Sequence, residues 1–135
     1  MQELTINMWA VLAAAVVRFA IGGIWYSPPL FARQWVKLSK LPANTMKKGA
    51  GKGFLVELVG GFLMAYVLVH AIKYAGVFDP AMGMMVGFWN WLGFIAVVQL
   101  SSTVFEKKPF KLFLITGGYQ LVSLLAMGAI LAKWG

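Results

Sequence analysis

Arg18 is the costliest residue in this chain, because it falls in the middle of an apolar run. It lies about eleven residues in from Asn7 and about eight from Tyr26, near mid-depth of a segment long enough to cross a bilayer. A central arginine costs roughly 2.5–3.5 kcal/mol on insertion scales, so it must face other helices and find partners. Glu57 is the only acid inside another such run, about 7 Å shallower by rise per residue. Helical side chains lean toward the N-terminus, which pulls Arg18 and Glu57 in opposite directions along the membrane normal. Asn90, Gln120, backbone carbonyls and the faces of Trp89 or Trp91 are alternative partners. Two readings stay open. One is a satisfied polar cluster that holds helices together. The other is a ligand site of Arg18, Trp89, Asn90, Trp91 and Gln120 for an anionic headgroup or solute.

Glu57 and His70 are also the residues an ion pair or an acid–base step would use. His70 is the only histidine, too few for a bis-histidine haem or a three-ligand zinc site. A hydrogen bond near the membrane interface competes with proton sensing as its role. With no cysteine there is no disulfide frame, thiolate site or cysteine nucleophile. Met82, Met84 and Met85 resemble a soft-metal cluster but suit a pliable apolar helix start better. Asp79 precedes a proline, Glu106 sits in a basic turn and Glu3 in the N-terminal tail. No hydrolase, phosphate-loop or dinucleotide motif is present. We therefore expect no metal and no cofactor, and an enzyme is unmotivated.

The elements that must position these residues are set by composition. The chain has 135 residues, 61% hydrophobic and 12% charged, with a mean hydropathy of +0.78; soluble domains carry roughly 25% charged residues. That is a membrane-protein composition for one domain, 1–135. The net charge of +8 does not indicate nucleic acid, since no water-soluble fold backs it. The N-terminus does not read as a cleavable signal peptide. Spans are expected near 7–26, 54–74, 82–105 and 111–134. They must be helices, because these solid apolar runs lack the alternation of barrel strands. The fold class is an all-α bundle of four transmembrane helices with a short amphipathic interfacial helix, 30–41, in the first connection.

Basic residues orient the bundle. Arg33, Lys37, Lys40, Lys47, Lys48 and Lys52 lie between spans one and two, and Lys107, Lys108 and Lys111 between spans three and four; Lys73 and Lys133 lie at the other end. The positive-inside bias puts both connections, 27–53 and 106–110, in the cytoplasm and both termini outside. In the first connection Phe31, Trp35 and Leu38 form one helical face and Arg33, Lys37 and Lys40 the other. That pattern suits a lipid-interface helix beside Trp25 and Tyr26, with anionic headgroups as its partners. Residues 47–53 read as a flexible basic ribbon. Gly83 and Gly87 form a GxxxG, and Gly22-Gly23, Gly60-Gly61 and Gly117-Gly118 are further thin points for close packing. The last two pairs also form a faint internal echo.

The motif Asn7-x-Trp9, followed by Gly22-Gly23-x-Trp25-Tyr26-Ser27-Pro28-x-x-Phe31-x-x-x-Trp35, resembles a family of small bacterial and fungal membrane proteins, domain-of-unknown-function family 1761. The Lys107-Lys108-Pro109-Phe110 turn and Gly117-Gly118-Tyr119 resemble it too. The resemblance implies an integral protein of the cell membrane, such as a bacterial inner membrane, and brings no activity with it. Small multidrug-resistance transporters are equally short, but they use a glutamate in the first span, where this chain has Arg18 and no acid. The functional expectation is binding or transport of a lipid or small amphipathic or anionic solute between helices, as a homo-oligomer. An accessory scaffold and a lipid-modifying enzyme are the alternatives.

Overall fold

The structure is a computed structural model. It describes residues 6–27, 30, 32–39 and 43–135, and the side chains of these except 32, 33, 36, 39 and 43–50. Every regular element among them is helical: α1 (Met8–Trp25), α2 (Ala32–Ser39), α3 (Ala43–Tyr74), α4 (Pro80–Asn90), a π-helical segment (Trp91–Ala96), α5 (Val97–Phe105) and α6 (Phe110–Trp134). Among the described residues, four stretches are long and apolar enough to cross a membrane: Met8–Trp25, Gly51–Tyr74, Pro80–Phe105 and Phe110–Trp134. The fold is an all-α membrane bundle. Its outer surface is apolar, with Trp9, Phe94 and Phe105 all largely exposed. Such a surface is stable only where the solvent is hydrocarbon.

α1 starts where the Asn7 side chain accepts a hydrogen bond from the Trp9 backbone N–H at 3.0 Å, a standard use of asparagine at a helix start. The amide nitrogen of Asn7 also reaches the Trp134 carbonyl at 3.5 Å, joining the first span to the last. α3 begins at Ala43, eight residues before its apolar part, so residues 47–53 are helical and not the flexible ribbon expected from their lysines and glycines. An established span propagates helix into a weak flank at little cost, because adding a residue is far easier than nucleation.

α6 is the hub of the bundle and packs against α1, α3 and α4. Its contact with α4 is the closest. A Cβ at Gly83 would strike the backbone of Gly128, and one at Gly87 the backbone of Leu124. Small residues are what allow helix backbones to touch in lipid. The densest apolar core, including Val11, Val69, Ile72, Met127 and Leu131, lies toward the chain termini. Arg18, Glu57, Gln99 and Gln120 lie toward the opposite end of the bundle.

Candidate functional site

Arg18 is 4% exposed and sits where α1, α3 and α6 meet. Its Nη1 donates to Gln120 Oε1 at 2.9 Å. Its Nη2 lies 3.4 Å from Glu57 Oε2, a loose ion pair. The guanidinium carbon stands 4.8 Å from the centre of the Tyr119 ring, a cation–π distance. The Tyr119 hydroxyl lies 3.3 Å from both the Arg18 carbonyl oxygen and Glu57 Oε2; its single proton serves one of them at a time. Three helices are thus tied together around one buried charge, as the high cost of an unpartnered ion in lipid demands. Arg18 Nε remains buried without an acceptor among the described residues.

Glycine makes room for this cluster. A Cβ on Gly22 would lie 3.0 Å from the Tyr119 hydroxyl, and one on Gly61 3.4 Å from Arg18 Cδ. Their neighbours Gly23 and Gly60 face open space. Of these two glycine pairs, one member admits a side chain from across the bundle and the other does not. Trp25 crosses to α6, donating from Nε1 to the Ile115 carbonyl at 2.9 Å.

Beside the cluster lies a cavity of about 600 Å³. Phe19, Tyr26, Trp35, Phe54 and Tyr119 give it aromatic walls, Gly22 and Gly23 a thin side, and Glu57, Gln99, Thr116 and Gln120 its polar atoms. Two of the lining residues, Phe19 and Phe54, are exposed, and their rings are 6.1 Å apart. Tyr26 is central to its aromatic wall, 5.9 Å from the Trp35 ring and 5.5 Å from the Tyr119 ring.

The structure brings Arg18, Glu57 and Gln120 together and leaves the other candidates elsewhere. Asn90 donates to the Val86 carbonyl of its own helix at 2.8 Å. Trp89 is mostly exposed. Trp91 donates from Nε1 to the Gly117 carbonyl at 2.9 Å. His70 lies 2.7 Å from the Tyr66 carbonyl, with its ring 4.6 Å from that of Tyr66. It is thirteen residues from Glu57 along α3, about 20 Å by helical rise. Of the proposed interface residues, Trp35 and Leu38 are half-buried and Lys37 is exposed. Phe31, Lys40 and the Arg33 side chain lie outside the described residues.

Sequence reasoning missed Gln99, whose Oε1 is buried with no donor among the described residues. In an uninterrupted α-helix, Gln99 would lie about 80° around the axis from Trp91. The π-helical segment widens the turn by one residue, which cuts that angle to about 20°. Both side chains consequently meet α6 at Gly117: Trp91 bonds its carbonyl, and Gln99 Oε1 is 3.4 Å from the position of a Gly117 Cβ. A polar residue inside an apolar span was the available signal; its phase was not readable.

A family model described as a protein of unknown function (DUF1761) matches residues 9–132, and the chain belongs to that family. Neither a curated protein nor a solved structure matches it.

Proposed function

We propose that this DUF1761 protein binds a lipid chain or a small amphipathic molecule in the cavity between α1, α3 and α6, as a binding or transport protein and not an enzyme. The cavity carries this reading. Its volume of about 600 Å³ falls in the range of small-molecule sites, roughly 300–1,000 Å³. Its aromatic walls and few polar atoms suit a ligand with one apolar and one polar part. The Arg18 cluster forms one wall and holds the three helices at fixed separation. In this reading the basic connections face the cytoplasm, so the cavity lies in the cytoplasmic half of the bilayer.

Gly23→Leu tests the reading. A Cβ at Gly23 meets nothing within 4 Å, so the variant fills the cavity without a backbone clash. The full chain in lipid nanodiscs is titrated with a bromine-substituted amphiphile while tryptophan emission is followed, because Trp35 lines the cavity. Saturable quenching in the native protein that is lost in Gly23→Leu is the expected outcome. Equal quenching in both proteins would remove the cavity as the site.

A further inference from the structure

The positive charge of Arg18 suggests an anionic ligand, but the groups that face the cavity suggest the opposite. We propose that the cavity selects an organic cation, with the Glu57 carboxylate as counter-charge and the Tyr26 and Trp35 rings as part of its wall. This rests on the cavity being a ligand site at all.

Arg18 is turned into the protein. It is 4% exposed, with Nη1 on Gln120, Nη2 toward Glu57 and its plane against Tyr119. The Glu57 side chain is 48% exposed and lines the cavity. Its Oε2 has partners at 3.4 and 3.3 Å, longer than the roughly 2.7–2.9 Å of a tight charge-assisted bond. No donor is assigned to Oε1 among the described residues. The neighbouring polar groups are uncharged: Gln99 and Gln120 each carry an amide oxygen and an NH2 donor, and Glu57 is the one acidic or basic residue among the described residues that line the cavity. Gln99 Oε1 has no donor among the described residues, and Thr116 gives its own proton to the Leu112 carbonyl at 2.9 Å. A carboxylate beside aromatic faces attracts a cation, and one that donates no hydrogen bonds, such as a quaternary ammonium or phosphonium, is held by charge and ring faces alone. The lysines of the basic connections do not reverse this. Exposed charges are screened over about 8 Å in physiological salt, whereas the carboxylate acts at contact in a poorly polarisable site.

The test uses a nearly isosteric pair of opposite charge, tetraphenylphosphonium and tetraphenylborate, on the full chain in nanodiscs of zwitterionic lipid. Binding to Gly23→Leu is subtracted as membrane partitioning. We expect the phosphonium to bind at least tenfold more tightly than the borate. Glu57→Gln, which keeps an acceptor for Arg18, should erase that preference. Equal affinity for the two ions in the native protein would overturn the cation assignment and leave the cavity reading intact. The comparison needs no variant at Glu57 and therefore survives any folding defect there. No specific binding of either ion above the Gly23→Leu background would overturn both.

Discussion

Arg18 and Gln120 are 102 residues apart in the chain, yet the guanidinium Nη1 and the amide Oε1 meet at 2.9 Å inside the bundle. This bond joins the first span to the last. It is the shortest of the contacts that neutralise or satisfy this buried cation. Gln120→Leu would leave Nη1 without that acceptor while Nε already lacks one among the described residues. The expected loss is about 1–3 kcal/mol, the cost of an unmet buried donor. Unfolding in mild detergent should show it. Arg18→Leu combined with Gln120→Leu should cost less than the sum of the two single changes, because the pair shares one interaction.

The α4–α6 contact should be the least tolerant of added volume. Gly83→Ala and Gly87→Ala place a methyl against the backbones of Gly128 and Leu124 and should each destabilise by about 1–3 kcal/mol. Gly60→Ala meets nothing within 4 Å, so helix propensity should leave it neutral or up to about 1 kcal/mol more stable. Thermal midpoints of the three variants, measured side by side, decide this. Equal midpoints would contradict the observed close approach.

Gly61→Ser should be stabilising. The added Cβ lies 3.5 Å from Arg18 Nε, the buried donor without an acceptor among the described residues, and the serine hydroxyl oxygen can accept from it. A gain of about 0.5–1.5 kcal/mol is expected, the usual worth of one net hydrogen bond. Gly61→Ala is the control, since it supplies the methyl without the acceptor. Serine must exceed alanine in the same unfolding assay.

The turn between the third and fourth spans should respond to acid. Lys108 Nζ lies 3.1 Å from Glu106 Oε2 and, by that hydrogen bond and by its charge, holds the Glu106 carboxyl below the usual carboxylate range. A depressed folded-state value stabilises the turn above the ordinary carboxylate pKa and is lost as pH falls through the lowered one. Both groups are exposed, so the effect is local and weakens in high salt. Carbon-detected NMR titration of Glu106 should show its midpoint rise in Lys108→Met. An unchanged midpoint would mean that the lysine is not the cause.

The Arg18–Glu57–Gln120 cluster was partly legible beforehand. Polar side chains inside hydrocarbon are few, and each must find another. Asn90 broke the pattern by bonding four residues back to the Val86 carbonyl, a local solution no hydropathy pattern excludes. Trp89 and Trp91 share a depth but point to different places, Trp89 largely exposed and Trp91 onto the Gly117 carbonyl. Tyr119 was not singled out as a site residue, because one tyrosine in a glycine-rich run resembles any other until Gly22 is seen to leave room for its hydroxyl.

Composition and hydropathy by themselves determined the helical class and the four crossings, and the even number of crossings puts both basic connections at one end. These properties average over some twenty residues per span and tolerate local error. Which polar atoms meet, and that a cavity lies beside them with Glu57 facing it and Arg18 turned away, was decided only in three dimensions. Partner choice depends on helix rotation and on ångström-scale spacing. Here those were set by the π-helical turn at Trp91–Ala96, by the glycine contacts that seat α4 on α6, and by the approach of α3 to Arg18 at Gly61.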